Sequence, residues 1–341
     1  KPEHDDEILQ HPHQVGGHAG LTNEGGALLV AEPGRLAKPV GHGYFAGEDA
    51  FYEQLRPDDA LAPFVPAFFG TRCIRGRTCV VLEDVTHGMR APCIVDIKIG
   101  TSTVAPDAGW EKRLSHLRKD RATTTRPLGL RLIGAQTVGA AGGAPFERRG
   151  KPWGKALRPE EVAAALRSCF SVGGVLRAAA VAHFVDRLQR LLHGLETAPS
   201  RQLLGSSILC VYDGAEDGAA TPPPALRVID FAHAYPLRAT RDHGYCYGLR
   251  HLIRLLRGLL PPDAEVGEVG GGCDDDGEAE EVALSPRTGP LEADGRAALH
   301  ADEFAEGAAH SHLGRWLPEW AGFDAIEDGG RVRKRLRLRP A

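Results

Sequence analysis

The sequence predicts an α+β fold, in which hairpins of antiparallel strands pack against separate amphipathic helices. Three apolar runs have the length and turn signals of hairpin strands: Leu28–Lys38, Ser206–Asp213 and Ala225–Phe231. Apolar stripes with helical spacing occupy two helices between Pro159 and Leu195, and a third at Tyr247–Leu260. With 341 residues, the chain is long enough for one large or two medium domains.

Composition and charge argue against several classes of protein. The net charge of −4 gives no indication of a nucleic-acid partner. The 7 cysteines are odd in number and form no C-x-x-C pair, so we expect reduced, buried thiols rather than disulfides or a zinc site. No apolar run approaches the length of a membrane span, and we expect a monomer without one.

Three elements near the start of the chain carry charged residues, and the first and third of them suit nucleotide binding. Lys38 ends the first hairpin and would either contact phosphates or be solvated. Ala50–Leu55 starts a helix behind Glu48 and Asp49, which favour a helix N-terminus. Thr78–Val85 is a buried strand that runs into acidic residues. Backbone groups at its end would pair with adenine, or it is an ordinary strand end.

The chain is organised around the strand Cys93–Ile99. Apolar and polar residues alternate along it, which predicts that one face is buried. Asp96 and Lys98 lie two residues apart, so both side chains project from the same side of the strand. A plain ion pair fits this pattern, and so does a pair that acts on a phosphoryl group.

The segment after this strand is basic. A helix is predicted to start near Asp107, and Lys112, His116 and Lys119 share one of its faces. That face is either solvated or a docking surface for an anionic substrate. The helical pattern ends at Thr123–Thr125, and the Gly-rich residues 139–152 are expected to be irregular.

Asp230 is an isolated carboxylate after a late apolar strand. It is a turn or cap residue, or a Mg²⁺ ligand, since hard cations bind carboxylates together with substrate phosphates. From residue 261 the chain loses periodicity and becomes acidic, which predicts disorder. The basic run Arg331–Arg339 has three interpretations that stay open: a nuclear-import signal, an anion-binding tail or a solvated terminus.

Together these features suit phosphoryl transfer, which needs a phosphate-binding lysine, a nucleotide hinge and metal-binding carboxylates. No GxxxxGK[ST] motif occurs, which argues against a P-loop enzyme. The HRD and DFG motifs of protein kinases are also missing.

Three motifs follow one another along the chain: Pro92-x-x-x-Asp96-x-Lys98-x-Gly100, Ser206-Ser207-Ile208-Leu209 and Ile229-Asp230-Phe231-Ala232-His233. In residues and order they resemble the P-x-x-x-D-x-K-x-G, SSLL and I-D-F-A-H elements of the inositol polyphosphate kinase family. The stretches HQVGGH, VLEDVTH and GYCYGLRHLI are also similar to family sequence. The resemblance therefore covers roughly residues 10–260.

The resemblance implies a two-lobed kinase-like α+β fold, of the ATP-grasp and protein-kinase-like type, with a short inositol-phosphate-binding helical segment. The expected divisions are a flexible N-terminus (1–10), an N-lobe (11–90), a C-lobe (91–260) that includes the substrate segment at about 101–130, and a disordered tail with a basic end (261–341).

The resemblance also implies roles for individual residues. Asp96 and Lys98 would be catalytic: Asp96 would hold the ribose, and Lys98 would bridge the γ-phosphate and the attacking hydroxyl. The residues implied in ATP binding are Lys38, Glu83, Val85, Asp96 and Asp230, and Asp230 would also bind Mg²⁺. The residues implied in binding inositol phosphate are Lys98, Lys112, Lys119 and His233. Lys155 matches a family arginine, and its role stays open.

The resemblance implies an ATP-dependent kinase that converts inositol tris- and tetrakisphosphates to higher polyphosphates. The short substrate segment is similar to that of plant-type inositol polyphosphate multikinases, and we expect a location in nucleus and cytoplasm. The alternatives are an inositol hexakisphosphate kinase, and a nuclear scaffold or transcription co-regulator with weak catalysis that binds proteins through the tail. One departure is the lack of an arginine in residues 43–50, which would weaken substrate binding or alter the preferred phosphate pattern.

Overall fold

The computed structural model forms two compact units, Lys1–Gly272 and Cys273–Ala341. The division lies close to the boundary after residue 260 that the sequence predicts. The described residues are 10–15, 27–40, 47–139, 146–215, 222–237 and 241–262, with the backbone of 321–328 and 331–338.

A four-stranded antiparallel sheet is built from the first part of the described chain. Its strands, in the order β1-β2-β4-β3, are β1 (Leu29–Glu32), β2 (Arg35–Pro39), β3 (Phe68–Ile74) and β4 (Arg77–Glu83). The predicted first hairpin is confirmed, and Gly34 in its turn has φ 76°, which glycine adopts without steric cost. The predicted helix α1 (Glu48–Gln54) lies against β3 and buries Phe51 and Tyr52.

A five-stranded antiparallel sheet forms the larger part of the same unit. Its strands, in the order β12-β11-β5-β6-β7, are β5 (Pro92–Ile99), β6 (Leu130–Val138), β7 (Phe146–Arg149), β11 (Ser207–Asp213) and β12 (Ala225–Ile229). The expectation that β5 buries only one face is wrong, because every residue except Lys98 is buried. Its odd-numbered side chains join the main core, whereas Asp96 and Lys98 lie on the opposite face, within reach of the charge of Asp230.

The helices surround the larger sheet. They are α2 (Trp110–Arg121), α3 (Thr125–Leu128), α4 (Lys151–Ala156), α5 (Val162–Cys169), α6 (Ala178–Thr197) and α7 (His243–Arg257), with 3-10 turns at Ala62–Phe64 and Pro159–Glu161. The helix predicted from Tyr247 begins at His243, because Asp242 caps it by accepting the Tyr245 N–H at 3.0 Å. Residues 139–152 are not wholly irregular as predicted: β7 pairs with the edge of β6, a tertiary contact that composition does not reveal.

The remaining strands form two-stranded pairs. They are β8 (Ser171–Val172), β9 (Val175–Leu176), β10 (Arg201–Leu203), β13 (Ala234–Pro236), β14 (Ala321–Asp328) and β15 (Arg331–Leu338). The strands β14 and β15 pair with each other, so the expectation of an entirely irregular tail is wrong for these residues. Val332, Leu336 and Leu338 alternate with arginines at the two-residue period of a strand. The other tail residues after 262 lie outside the described residues.

An N-terminal segment, residues 10–15, connects the two sheets. The N–H of His11 donates to the Leu28 carbonyl at 2.7 Å, and the His11 ring lies 3.2 Å from the Asp84 carboxylate. Farther along, the Pro12 carbonyl accepts a hydrogen bond from Arg148 on β7 at 2.7 Å. These contacts hold the N-terminal segment against both sheets, next to the end of β4. Within the described residues, no helix is both long and apolar enough to cross a membrane.

Candidate functional site

The floor of the cleft is formed by β5 and its neighbours. Lys98 lies between Ser207 of β11 and Arg131 of β6, and its ammonium group donates to the Gly205 carbonyl. Asp96 is 3% exposed, and its Oδ1 has no hydrogen-bond partner in the described part of the chain. No ion pair between Asp96 and Lys98 occurs among the described residues, and the unpartnered Asp96 oxygen is an acceptor for a ligand.

Burial shifts the pKa of both groups towards their neutral forms. Desolvation, and then the charge of Asp230, raise the pKa of Asp96 to about 6. Desolvation also lowers the pKa of Lys98, although Asp230 and Asp96 oppose the shift. Such shifts are typical of groups that meet a charged ligand inside a protein.

The roof of the cleft contributes Lys38 of β2. Its Nζ lies 2.8 Å from Glu48 Oε1 at the start of α1 and 2.6 Å from Asp230 Oδ1. Burial lowers the pKa of Lys38, but the two carboxylates outweigh burial and raise it, so the ammonium group stays charged. Glu48 also belongs to the site, although its position in the sequence indicates only the start of a helix. No local pattern reveals its partner, because the contact forms between separate elements.

Asp230 lies directly after β12, at the end of the floor. It has φ 67°, a left-handed conformation that is uncommon outside glycine and often occurs at functional sites. Desolvation raises the pKa of its carboxyl group, but Lys38 and Lys98 outweigh this effect and lower it. The side chain is 41% exposed, so an ionised carboxylate at this position is accessible to a cation.

A hinge segment connects the two sheets after β4. Glu83 forms two hydrogen bonds with Arg227 of β12, at 2.7 and 2.9 Å, which tie the sheets together. The N–H of Val85 makes no hydrogen bond within the described residues. A cavity of about 480 Å³ opens here, and its lining includes Glu83, Val85, Arg227 and the prolines 222–224. Backbone donors and apolar walls of this kind suit a flat heterocycle.

The basic face of α2 lies beyond Lys98. Burial, together with nearby cations that include Arg131 and Lys98, lowers the pKa of Lys119 to about 8. Burial also lowers the pKa of Lys112 and of His233, and the charge of Lys112 acts on His233. Lys112, Lys119 and His233 are three of the four substrate residues that the resemblance implies, and they lie on the side of Lys98 that carries α2.

A family model described as inositol polyphosphate kinase matches residues 79–257. The rice protein "Inositol polyphosphate multikinase IPK2" (Oryza sativa subsp. indica) is 31% identical over 284 residues, which cover 75% of this chain and 95% of the rice protein. The chain belongs to the inositol polyphosphate kinase family.

Other relatives of this kinase differ in the activity that they are named for, or in length. Mouse "Inositol hexakisphosphate kinase 3" is 32% identical over 200 residues, and the match spans 53% of this chain but only 50% of the mouse protein. The fold is similar to the crystal structure of the S. cerevisiae multikinase Ipk2 in complex with ADP and Mn²⁺, with a TM-score of 0.58 and 21% sequence identity. The match covers 66% of this chain and 98% of the yeast chain. This likeness confirms the two-lobed kinase-like α+β fold.

The cleft of the kinase contains two further cations, Arg131 and Lys151, for which the sequence predicts no role. Arg131 is 5% exposed beside Lys98, and its Nε has no partner among the described atoms. Burial is the largest single influence on the pKa of Asp96, Lys98 and Asp230, although the nearby lysines together outweigh it at Asp230, and the Lys151 ammonium group acts on all three. Lys151 therefore lies close to the reacting end of the cleft, at the start of α4.

Lysine usage is a signal that points to Lys151. Only eight of the 41 basic residues are lysines. Those with described side chains are Lys38, Lys98, Lys112, Lys119, Lys151 and Lys155. All of them lie on elements around the cleft, and Lys155 acts on the pKa of Lys119 after burial and nearer charges. Lysines are rare in this chain, and those that are described cluster around the cleft, where a compact ammonium group binds phosphate as a point charge.

The residues present fit ATP and a divalent cation. Asp96 has an unpartnered buried oxygen, and Asp230 offers a hard oxygen ligand beside Lys38. Carboxylates of this kind bind Mg²⁺ together with substrate phosphates. Among the described residues no group of three or more His, Cys, Asp or Glu side chains is placed to bind a metal. Of the segment that lacks the expected arginine, residues 43–46 lie outside the described residues.

Proposed function

We propose that this chain is an ATP- and Mg²⁺-dependent kinase that phosphorylates inositol tris- and tetrakisphosphates to higher polyphosphates. The observation that carries the proposal is the convergence of the cations Lys98, Lys119 and Arg131 beside Asp96 and Asp230. An inositol polyphosphate is a small polyanion that needs several cations at short range. The match to nearly the full length of the rice multikinase supports the same activity.

The nucleotide side of the cleft divides its tasks among separate elements. Glu83 and Val85 offer backbone groups to adenine, and Asp96 accepts hydrogen bonds from the ribose. Lys38 stays charged beside Glu48 and binds ATP phosphates. Asp230 binds the divalent cation, which neutralises phosphate charge during transfer.

Lys98 lies between the nucleotide and the inositol. Its ammonium group binds the γ-phosphate and orients the attacking inositol hydroxyl, so that both partners meet in line. A bond forms between the hydroxyl oxygen and the γ-phosphorus, the bond to the ADP oxygen breaks, and the hydroxyl proton is released to solvent. The other phosphates of the inositol are bound by Lys112, Lys119, Arg131, Lys151 and His233.

Purified protein incubated with ATP, Mg²⁺ and a panel of inositol phosphates tests the proposal. We expect trisphosphate to be converted to tetrakis- and pentakisphosphates, identified by isomer-resolved chromatography. The Lys98→Met variant should lose about 10²- to 10³-fold in kcat, the effect of removing one transition-state cation. The matched control is Arg254→Met on the exposed face of α7, which should retain wild-type kcat. Wild-type rates in Lys98→Met, or no inositol product, would contradict the proposal.

A second candidate is an inositol hexakisphosphate kinase, which the 32% identity to the mouse enzyme favours. The same panel separates the two activities, because a hexakisphosphate kinase forms pyrophosphates from hexakisphosphate. We propose the multikinase because its relatives match along nearly their whole length, whereas the mouse protein is matched over half.

Several expectations stay predictions. These are the preference for Mg²⁺, the monomeric state, the location in nucleus and cytoplasm, and nuclear protein partners of the tail. Fluorescence microscopy of the full chain with and without residues 331–339 tests whether that basic run directs import. A catalytically inactive Lys98→Met chain that restores every phenotype of a null cell would favour the scaffold alternative instead.

A further inference from the structure

The substrate helix α2 is not held in place by an apolar face. Asp120 is its one buried residue, at 3% exposure, and the other side chains are half-buried or exposed. Most helices of globular proteins are fixed by an apolar stripe against the core. The position of this helix, and with it that of Lys112 and Lys119, therefore depends on polar contacts.

Those contacts converge on Thr103, which follows β5 in the chain. The Thr103 N–H donates to Asp120 Oδ2 at 2.7 Å, and its hydroxyl donates to Asp120 Oδ1 at 2.8 Å. The Nδ1–H of His116, one turn earlier on α2, donates to the Thr103 carbonyl at 2.7 Å. All three polar groups of Thr103 are thus bound by α2. We name Thr103, His116 and Asp120 the α2 clamp.

The charge of Asp120 is unusual for its place in the helix. It lies in the last turn, where the helix dipole disfavours a carboxylate. Its neighbours are cations: it acts to raise the pKa of Lys119 and of Arg131, against the burial that lowers both. Asp120 therefore favours the charged forms of Lys119 and Arg131 while it binds Thr103.

We propose that Asp120 and Thr103 are positioning residues, which set the distance from Lys98 to the cations of α2. The inference rests on the proposed function, in which Lys98 and the α2 lysines bind the same inositol phosphate. Thr103 follows the strand that carries Lys98, so the clamp connects the transferring group to the substrate-binding helix. Without the clamp the helix moves relative to Lys98, because little apolar burial restrains it.

The Thr103→Val variant removes the hydroxyl and keeps the shape of the side chain. We expect the KM for inositol trisphosphate to rise about tenfold, while kcat and the KM for ATP change less than about twofold. Thr103→Ser keeps the hydroxyl and should restore wild-type KM. Thr197→Val is the matched control, since it removes a threonine hydroxyl bonded to a backbone carbonyl at 2.8 Å on α6.

Asp120→Asn is the second variant, because it replaces one acceptor of the clamp with a donor. The same selective rise in KM is expected. The inference would be overturned if the KM for ATP rose as much as the KM for inositol trisphosphate. It would also be overturned if the KM for inositol trisphosphate were unchanged in both variants. Isothermal titration calorimetry with inositol trisphosphate in the absence of ATP measures the effect of the clamp on binding affinity, independently of phosphoryl transfer. A wild-type chain that binds but does not phosphorylate this ligand would therefore contradict the proposed function alone.

Discussion

At the scale of single residues, Lys119 shows how the cleft adjusts charge. Burial, with the nearby cations Arg131, Lys98 and Lys155, lowers its pKa to about 8, although Asp120 opposes the shift. The ammonium form is therefore present below about pH 8 and is lost as the pH rises through that value. A phosphate-binding group with this pKa makes substrate affinity depend on pH near neutrality.

We predict that kcat/KM for inositol trisphosphate falls as the pH rises above 8, by about tenfold per pH unit beyond the pKa. The measurement is a pH profile of wild type against Lys119→Arg. The arginine variant keeps its charge to much higher pH, so its profile should stay level in this range. An identical decline in both proteins would assign the effect to another group.

At the scale of elements, the placement of α4 on β6 depends on Gly154. A Cβ at this position would lie 1.8 Å from the Leu132 carbonyl oxygen, so no side chain fits without movement of the helix. Lys151 and Lys155 are on this helix, and their position in the cleft follows from the close approach. A glycine with no side chain of its own therefore determines part of the charge pattern.

We predict that Gly154→Ala lowers the free energy of unfolding by ~1–3 kcal/mol and raises the KM for inositol trisphosphate, because α4 must shift away from β6. Gly258→Ala is the control: its Cβ would lie 3.5 Å from the nearest atoms, an ordinary contact, at the end of α7. Chemical denaturation and steady-state kinetics measure both effects. A Gly154→Ala protein as stable as Gly258→Ala would show that the approach of α4 to β6 is not restrictive.

At the scale of the whole first unit, a few polar ties connect the two sheets. The pair Glu83–Arg227 joins β4 to β12 beside the hinge, and Lys38–Asp230 joins the roof to the floor. His11–Asp84 joins the end of β4 to the N-terminal segment, which also contacts β7 through Pro12 and Arg148. Each tie involves a residue at or next to the proposed nucleotide site, so the sheets and the nucleotide site are mechanically linked.

We predict that Arg227→Gln lowers the free energy of unfolding by ~1–2 kcal/mol and raises the KM for ATP, because Glu83 loses a half-buried partner. The control is Arg56→Gln, which breaks a two-bond pair of the same chemistry with Asp58. That pair is 78% and 70% exposed, against 21% and 29% for Arg227 and Glu83, so its loss should leave the free energy of unfolding nearly unchanged. Equal destabilisation in the two variants would contradict a role for the tie between the sheets.

The sequence by itself determined the local elements and the chemistry of the family motifs. The hairpin at Gly34, the α+β class, and the shared face of Asp96 and Lys98 follow from turn residues and periodicity, which act over a few residues. The three ordered motifs then indicated the kinase family, and the matched model and relatives confirmed it.

The tertiary structure alone decided which distant groups meet. Glu48 beside Lys38, Lys151 beside the cleft carboxylates, and Asp120 on Thr103 are contacts between separate elements. Periodicity reports which face of an element is buried but not what covers it, and a single sequence contains no pairwise distances. For the same reason the sequence left the α2 lysines on a face that is either solvated or substrate-binding. The structure adds that the buried Asp120 carboxylate of the same helix accepts hydrogen bonds from Thr103.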